Sequence, residues 1–86
     1  MNLGINNLLV AEINHRRGDL NSDRSNSTQN LAAIEIGSLL GALAKHRTLD
    51  SGELQLLHLC TQIRAQAQSV LDAYAHSKGR ARLVRR

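Results

Sequence analysis

Side chains able to do chemistry are few in this chain and badly spaced to work together. Cys60 is the single thiol, and the histidines stand apart at positions 15, 46, 58 and 76. His58 and Cys60 are two residues apart, so on a helix their side chains diverge and cannot share a metal ion. Cys60 falls among apolar residues at helical spacing, where a small buried thiol is the ordinary outcome; a nucleophile needs an activating, partly exposed setting. There is no Cys-x-x-Cys, no His-Glu-x-x-His and no glycine-rich phosphate loop. No catalytic, cofactor-binding or metal-binding set emerges. The expectation is a protein that is not an enzyme and takes no cofactor, with no small-molecule substrate evident.

Charge is the one feature that suggests a ligand class. Residues 78–86, Lys-Gly-Arg-Ala-Arg-Leu-Val-Arg-Arg, carry five of the eleven Lys and Arg and no acid. The remaining six bases face all seven Asp and Glu, so residues 1–77 stand at −1 and the pI of about 10.2 describes an appendage. Lys78, Arg80, Arg82, Arg85 and Arg86 are therefore candidate nucleic-acid contacts, since each cation that neutralises a phosphate releases counterions. Against this, Tyr74 is the only aromatic residue, which leaves almost nothing for stacking on bases. Five charges without a large apolar face also bind anionic lipid poorly. The plain reading is a solvated basic C-terminal tail.

The elements that position these residues are helical. Proline is absent, Leu and Ala dominate, and the β-branched and aromatic residues that favour strands are scarce, so the fold class is all-α. At 86 residues the chain makes one domain, read as 1–77, followed by the tail at 78–86. A short first helix is expected at about 3–16, where Ile5, Leu8, Leu9 and Ile13 share a side. His15, Arg16 and Arg17 suit the negative end of its dipole, and Gly18 offers a C-cap. From about 19 to 30 the chain turns polar, and only Leu20 could anchor it, so a mobile linker is expected. Ser25, Ser27 and Thr28 all suit the cap of the next helix.

That second helix is expected at about 28–46, with Ala32, Ile36, Leu39, Leu43 and His46 forming a seam. Beside it Ala33, Gly37 and Gly41 make a row of small residues that lets another helix approach closely. Asp50 and Glu53 read as a capping box, with Leu49 and Leu54 as its hydrophobic staple. Helix three then runs from about 51 to 77, with Gly79 as the stop. The short connection folds helices two and three into an antiparallel hairpin, and the whole into a small three-helix arrangement. Leu56, Cys60, Ile63, Ala67, Val70 and Tyr74 step by fours and threes along helix three, flanked by uncharged polar residues. That flank selects no coiled-coil partner or direction, so a hairpin seam is expected.

One part of the pattern overflows. Leu54, Leu56, Leu57 and Leu59 point in different directions around the axis, and a helix apolar all round is normally buried all round. A chain this short has little left to cover them, which makes these leucines, with Gly37 and Gly41, candidate interface residues. The partner would be another protein or a second copy, in a homo- or hetero-oligomer. In size and layout the chain resembles small bacterial secretion chaperones and phage-encoded inhibitors, which implies an adaptor, chaperone-like or inhibitor role. The leading expectation is a non-enzymatic helical protein-binding module, and the alternative is a DNA- or RNA-binding regulator using the basic tail. One unpaired cysteine, no signal peptide and no membrane span suggest a cytoplasmic protein.

Overall fold

A computed structural model describes the backbone of residues 3–85 and the side chains of residues 4–76. Three α-helices follow one another: α1 (Leu3–Arg16), α2 (Asn26–Ala44) and α3 (Ser51–Arg85), with a 3-10 turn at Arg17–Leu20. There is no strand among the described residues. The all-α hairpin with a short first helix is the architecture observed.

The junction between α1 and α2 differs from the expected linker. Gly18 does not adopt a left-handed cap, and no described residue has positive φ. Instead the chain tightens from α1 directly into the 3-10 turn. Leu20 is half-buried against the core, and the Gln29 side chain donates to the carbonyls of Asn21 at 2.9 Å and Arg24 at 3.0 Å. Those bonds tie the polar segment to the first turn of α2. Of the three cap candidates Ser25 holds the position: its Oγ accepts from the Thr28 N–H at 3.2 Å, and α2 starts two residues earlier than expected.

α2 is the central element. α1 and α3 both lie against it and do not pack backbone to backbone on each other. Packing on two sides explains why its buried set is broad: Ala32, Ala33, Ile36, Leu40 and Leu43. Leu40 is fully buried while Leu39 is half-buried, and His46 is exposed because α2 ends at Ala44 and His46 falls in the turn beyond. Ile13 of α1, with Leu56 and Cys60 of α3, completes the core. Arg16 fastens α1 along the rim, donating to Glu12 on its own helix and to Glu35 of α2 at 3.2 Å. That pairing holds the Glu12 carboxyl below its ordinary range.

The α2–α3 connection is the best-built local structure. The Glu53 N–H donates to Asp50 Oδ1 at 2.8 Å, and the Asp50 N–H donates to Glu53 Oε1 at 2.9 Å, closing the capping box. Arg47 then grips the same carboxylate with both terminal nitrogens, at 2.8 and 2.7 Å, while Nη1 also donates to the Thr48 carbonyl at 2.9 Å. The Arg47 fork, followed by the Asp50 N–H, pulls the Glu53 pKa down to about 2. The staple is one-sided, with Leu49 half-buried against the core and Leu54 53% exposed.

α3 is much longer than its hairpin partner, 35 residues against 19, and its assigned span carries past Gly79. One interior glycine costs about 1 kcal/mol relative to alanine, too little to end a helix on its own. The antiparallel α2 covers only the part of α3 nearest the connection. Lys78, Arg80, Arg82, Arg85 and Arg86 lie outside the described side chains.

Candidate docking face on helix three

The interface leucines expected from the sequence divide once folded. Leu56 is 7% exposed and belongs to the chain's own core, and Leu57 is half-buried against that core. Leu54 and Leu59 remain open at 53% and 42%. By helical spacing Leu54 lies on the side away from α2, so those two do not form one patch. Gly37 is half-buried and Gly41 exposed, and a Cβ at either would meet nothing within 4 Å. Among the described residues no helix uses the close approach they allow.

A more continuous apolar surface lies further along α3. Residues 56, 60, 63, 67, 70 and 74 share one face, and Leu71 stands beside it, four residues after Ala67. Leu56 and Cys60 are buried on that face and Ile63 is half-buried, but Val70 is 66% exposed and Leu71 57%. Tyr74 follows on the same line and is also exposed. The change falls where the first turn of α2 meets α3. There a groove of about 440 Å³ opens, with Asn26, Ser27, Gln29 and Asn30 of α2 on one wall and Ile63, Gln66, Ala67, Val70 and Leu71 of α3 on the other. A second groove, of about 320 Å³, runs along the opposite flank between Asn30 and Ile34 of α2 and Arg64, Gln68 and Leu71 of α3. Asn30, Ala67 and Leu71 line both, so the two are the sides of one ridge. Ile34 adds its own exposed apolar surface to the second groove.

The sequence places Val70 on the helix-three seam without signalling that it faces water, and it offers no reason to notice Leu71 or Ile34. The usable signal is the mismatch in helix lengths: an antiparallel partner that starts near Asn26 cannot reach the second half of α3.

The chemistry this arrangement supports is burial of apolar surface between uncharged amides. The larger groove is lined without any ionisable side chain, and Arg64 enters the smaller one. Cys60 is buried on the other stretch of the seam, and burial pushes its thiol up, away from the nucleophilic form. Among the described residues no group of three or more His, Cys, Asp or Glu is placed to hold a metal ion, and no helix is long and apolar enough to cross a membrane. Comparison with known proteins adds no relative: no family model matches the chain, and neither a curated protein nor a solved structure does.

Proposed function

We propose that this chain is a non-enzymatic helical binding module, in which the hairpin is a rigid base that presents the second half of α3 to another protein chain. One observation carries the reading. A single helix face runs from buried core at Leu56 and Cys60 into water at Val70 and Leu71, beside the first turn of α2, beyond which nothing in the described chain continues the cover. Helix faces of this pattern are the usual anchors of helix-in-groove recognition, with contacts at three- and four-residue steps. Asn26, Asn30 and Gln66 at the groove edge supply the polar rim that surrounds such apolar centres. Leu54 and Leu59, separated on other sides of α3, give a smaller contribution to the same role.

A photo-crosslinking residue introduced at position 70, in cells producing the full chain, tests this against the same residue at position 69, which points to the far side of α3. A discrete adduct from 70, absent from 69 and lost when Leu71→Asp is added, is the expected result. Equal adducts from both positions, or none from either, would overturn the proposal.

A further inference from the structure

α1 docks by a face other than its most apolar one. By spacing Ile5, Leu8, Leu9 and Ile13 share a side, but in the fold Ile5 is 47% exposed and Leu8 68%. The residues turned inward are Asn6, Leu9, Val10 and Ile13; Ile13 is buried and the other three are half-buried. Asn6 lies two turns before Ile13 on the same line, and its Oδ1 is shut off from solvent with no hydrogen-bond partner among the described residues. A buried carbonyl oxygen left unpaired costs the desolvation of that group, so this docking is opposed by its own central residue. The other fastenings are light. α1 does not pack backbone to backbone on α3, and a gap of about 280 Å³ stays open between them, with Val10 and Ile13 on one side and Gly52 and Leu56 on the other. Arg16 pairs with Glu35 of α2 at the surface, where such pairs contribute little.

The hairpin is built more firmly. α2 and α3 share the core residues Ile36, Leu40, Leu43, Leu56 and Cys60, and the capping box with its Arg47 fork closes their connection. The Gln29 side chain holds the carbonyls of Asn21 and Arg24, so the chain from Asn21 onward stays anchored on α2 and the 3-10 turn Arg17–Leu20 is the joint left to bend. We propose that α1 is a releasable cover: it swings off the hairpin at that joint as a unit, in an opening that leaves α2 and α3 folded. Asn6 sets how readily α1 opens, because release returns its amide oxygen to water. Openings of this kind belong to the parts of a fold with the fewest buried contacts. The device is independent of the docking reading, since no residue of α1 lines either groove beside the exposed half of α3.

Native-state amide exchange of the full chain tests this, beside the variants Asn6→Leu, Asn7→Leu and Gly41→Ala. Amides at 9–16 are expected to exchange at least about tenfold faster than those at 36–43 and 56–60. Their rates should change little in low urea, because a local opening exposes little surface. Asn6→Leu removes the orphan oxygen and should slow exchange at 9–16 at least about fivefold. Asn7 is exposed, so Asn7→Leu makes the same gain in helix propensity without touching the docked face and should do clearly less. Gly41→Ala strengthens α2, which stays helical in the open form. It should slow 36–43 and 56–60 about two- to fivefold and leave 9–16 unchanged. One rate and one urea dependence shared by all three stretches, or a Gly41→Ala effect that reaches 9–16 in full, would mean that α1 leaves only when the whole chain unfolds, and overturns the proposal. So does an Asn6→Leu effect no larger than that of Asn7→Leu, since the opening would then be fraying of α1 and not its release from the hairpin.

Discussion

The two halves of α3 carry the same spacing of apolar residues and meet opposite fates. In the first half Leu56 and Cys60 are sealed under α2, and the helix start is held by Asp50, Glu53 and Arg47. In the second half Val70 and Leu71 follow the same steps into water. Periodicity states which side of a helix is apolar; whether that side is buried depends on a neighbour, and here the neighbour is too short. The contrast separates what stabilises the hairpin from what it offers to others, and each can be altered without the other.

The largest break in that contrast comes from the core. Leu40→Ala, at the centre of α2, and Leu56→Ala, on the covered half of α3, should each cost about 2–5 kcal/mol, since both remove buried methyl groups and leave a cavity. In a domain of this size that is much of the total stability, and Leu40→Ala should leave little folded protein at 37 °C. Thermal melts followed by circular dichroism would show it; a drop of less than about 1 kcal/mol for both would mean that the covered half is not the core.

The start of α3 comes next. Asp50→Ala removes the oxygen that receives the Glu53 N–H and should cost about 1 kcal/mol. Glu53 adds a pH dependence whose sign follows from its depressed pKa of about 2 against an ordinary value of 4.5. Stability from the Arg47–Glu53 pair is fully present above about pH 5 and is lost as pH falls through the window from 4.5 to about 2. Glu53→Gln keeps an acceptor for the Asp50 N–H but not the charge, so its melting temperature should fall less steeply over that window. Solvent screening of this partly exposed pair limits the difference to about 1 kcal/mol. Parallel acid titrations of the two proteins would contradict the assignment.

How much of this was legible from the residues divides along the same line. The capping box at Asp50 and Glu53 is a local code, written in adjacent residues, and the structure forms it atom for atom. The all-α class and the hairpin follow from composition and from a connection too short for anything else. What the residues alone leave open is everything set by a third element. Leu40 in place of Leu39 at the centre of the core depends on α2 being packed from two sides. Gly18 looks like a cap until the chain is seen to continue into a 3-10 turn. The four leucines at 54, 56, 57 and 59 could not be sorted without knowing which sides of α3 are covered. The candidate face was hidden for the same reason: Val70 and Leu56 occupy equivalent seam positions fourteen residues apart, and no local signal distinguishes the one left outside.

Gly41 sharpens the comparison on the α2 side. It is exposed, has negative φ, and a Cβ there meets nothing within 4 Å. Gly41→Ala should therefore stabilise the chain by about 0.5–1 kcal/mol through helix propensity. Denaturant melts would register this as a higher midpoint with an unchanged slope. A loss of stability would show that something already presses against that glycine, which no described residue of the chain does.

The smallest effect is the most informative about the exposed half. Val70→Ser and Leu71→Ser remove apolar surface that is already more than half in water, so the change in unfolding free energy should stay within about 0.5 kcal/mol. Set beside the several kcal/mol expected at Leu56, on the same face of the same helix, that near-silence is the physical definition of a surface the fold does not need. Amide hydrogen exchange makes the same comparison without mutation: residues 54–63, locked between cap and core, should be protected well beyond residues 70–76, whose side chains are exposed. Equal protection along both stretches, or a Leu71→Ser variant as damaged as Leu56→Ala, would mean that the second half of α3 already has a neighbour in the free protein, and that the two halves are one core.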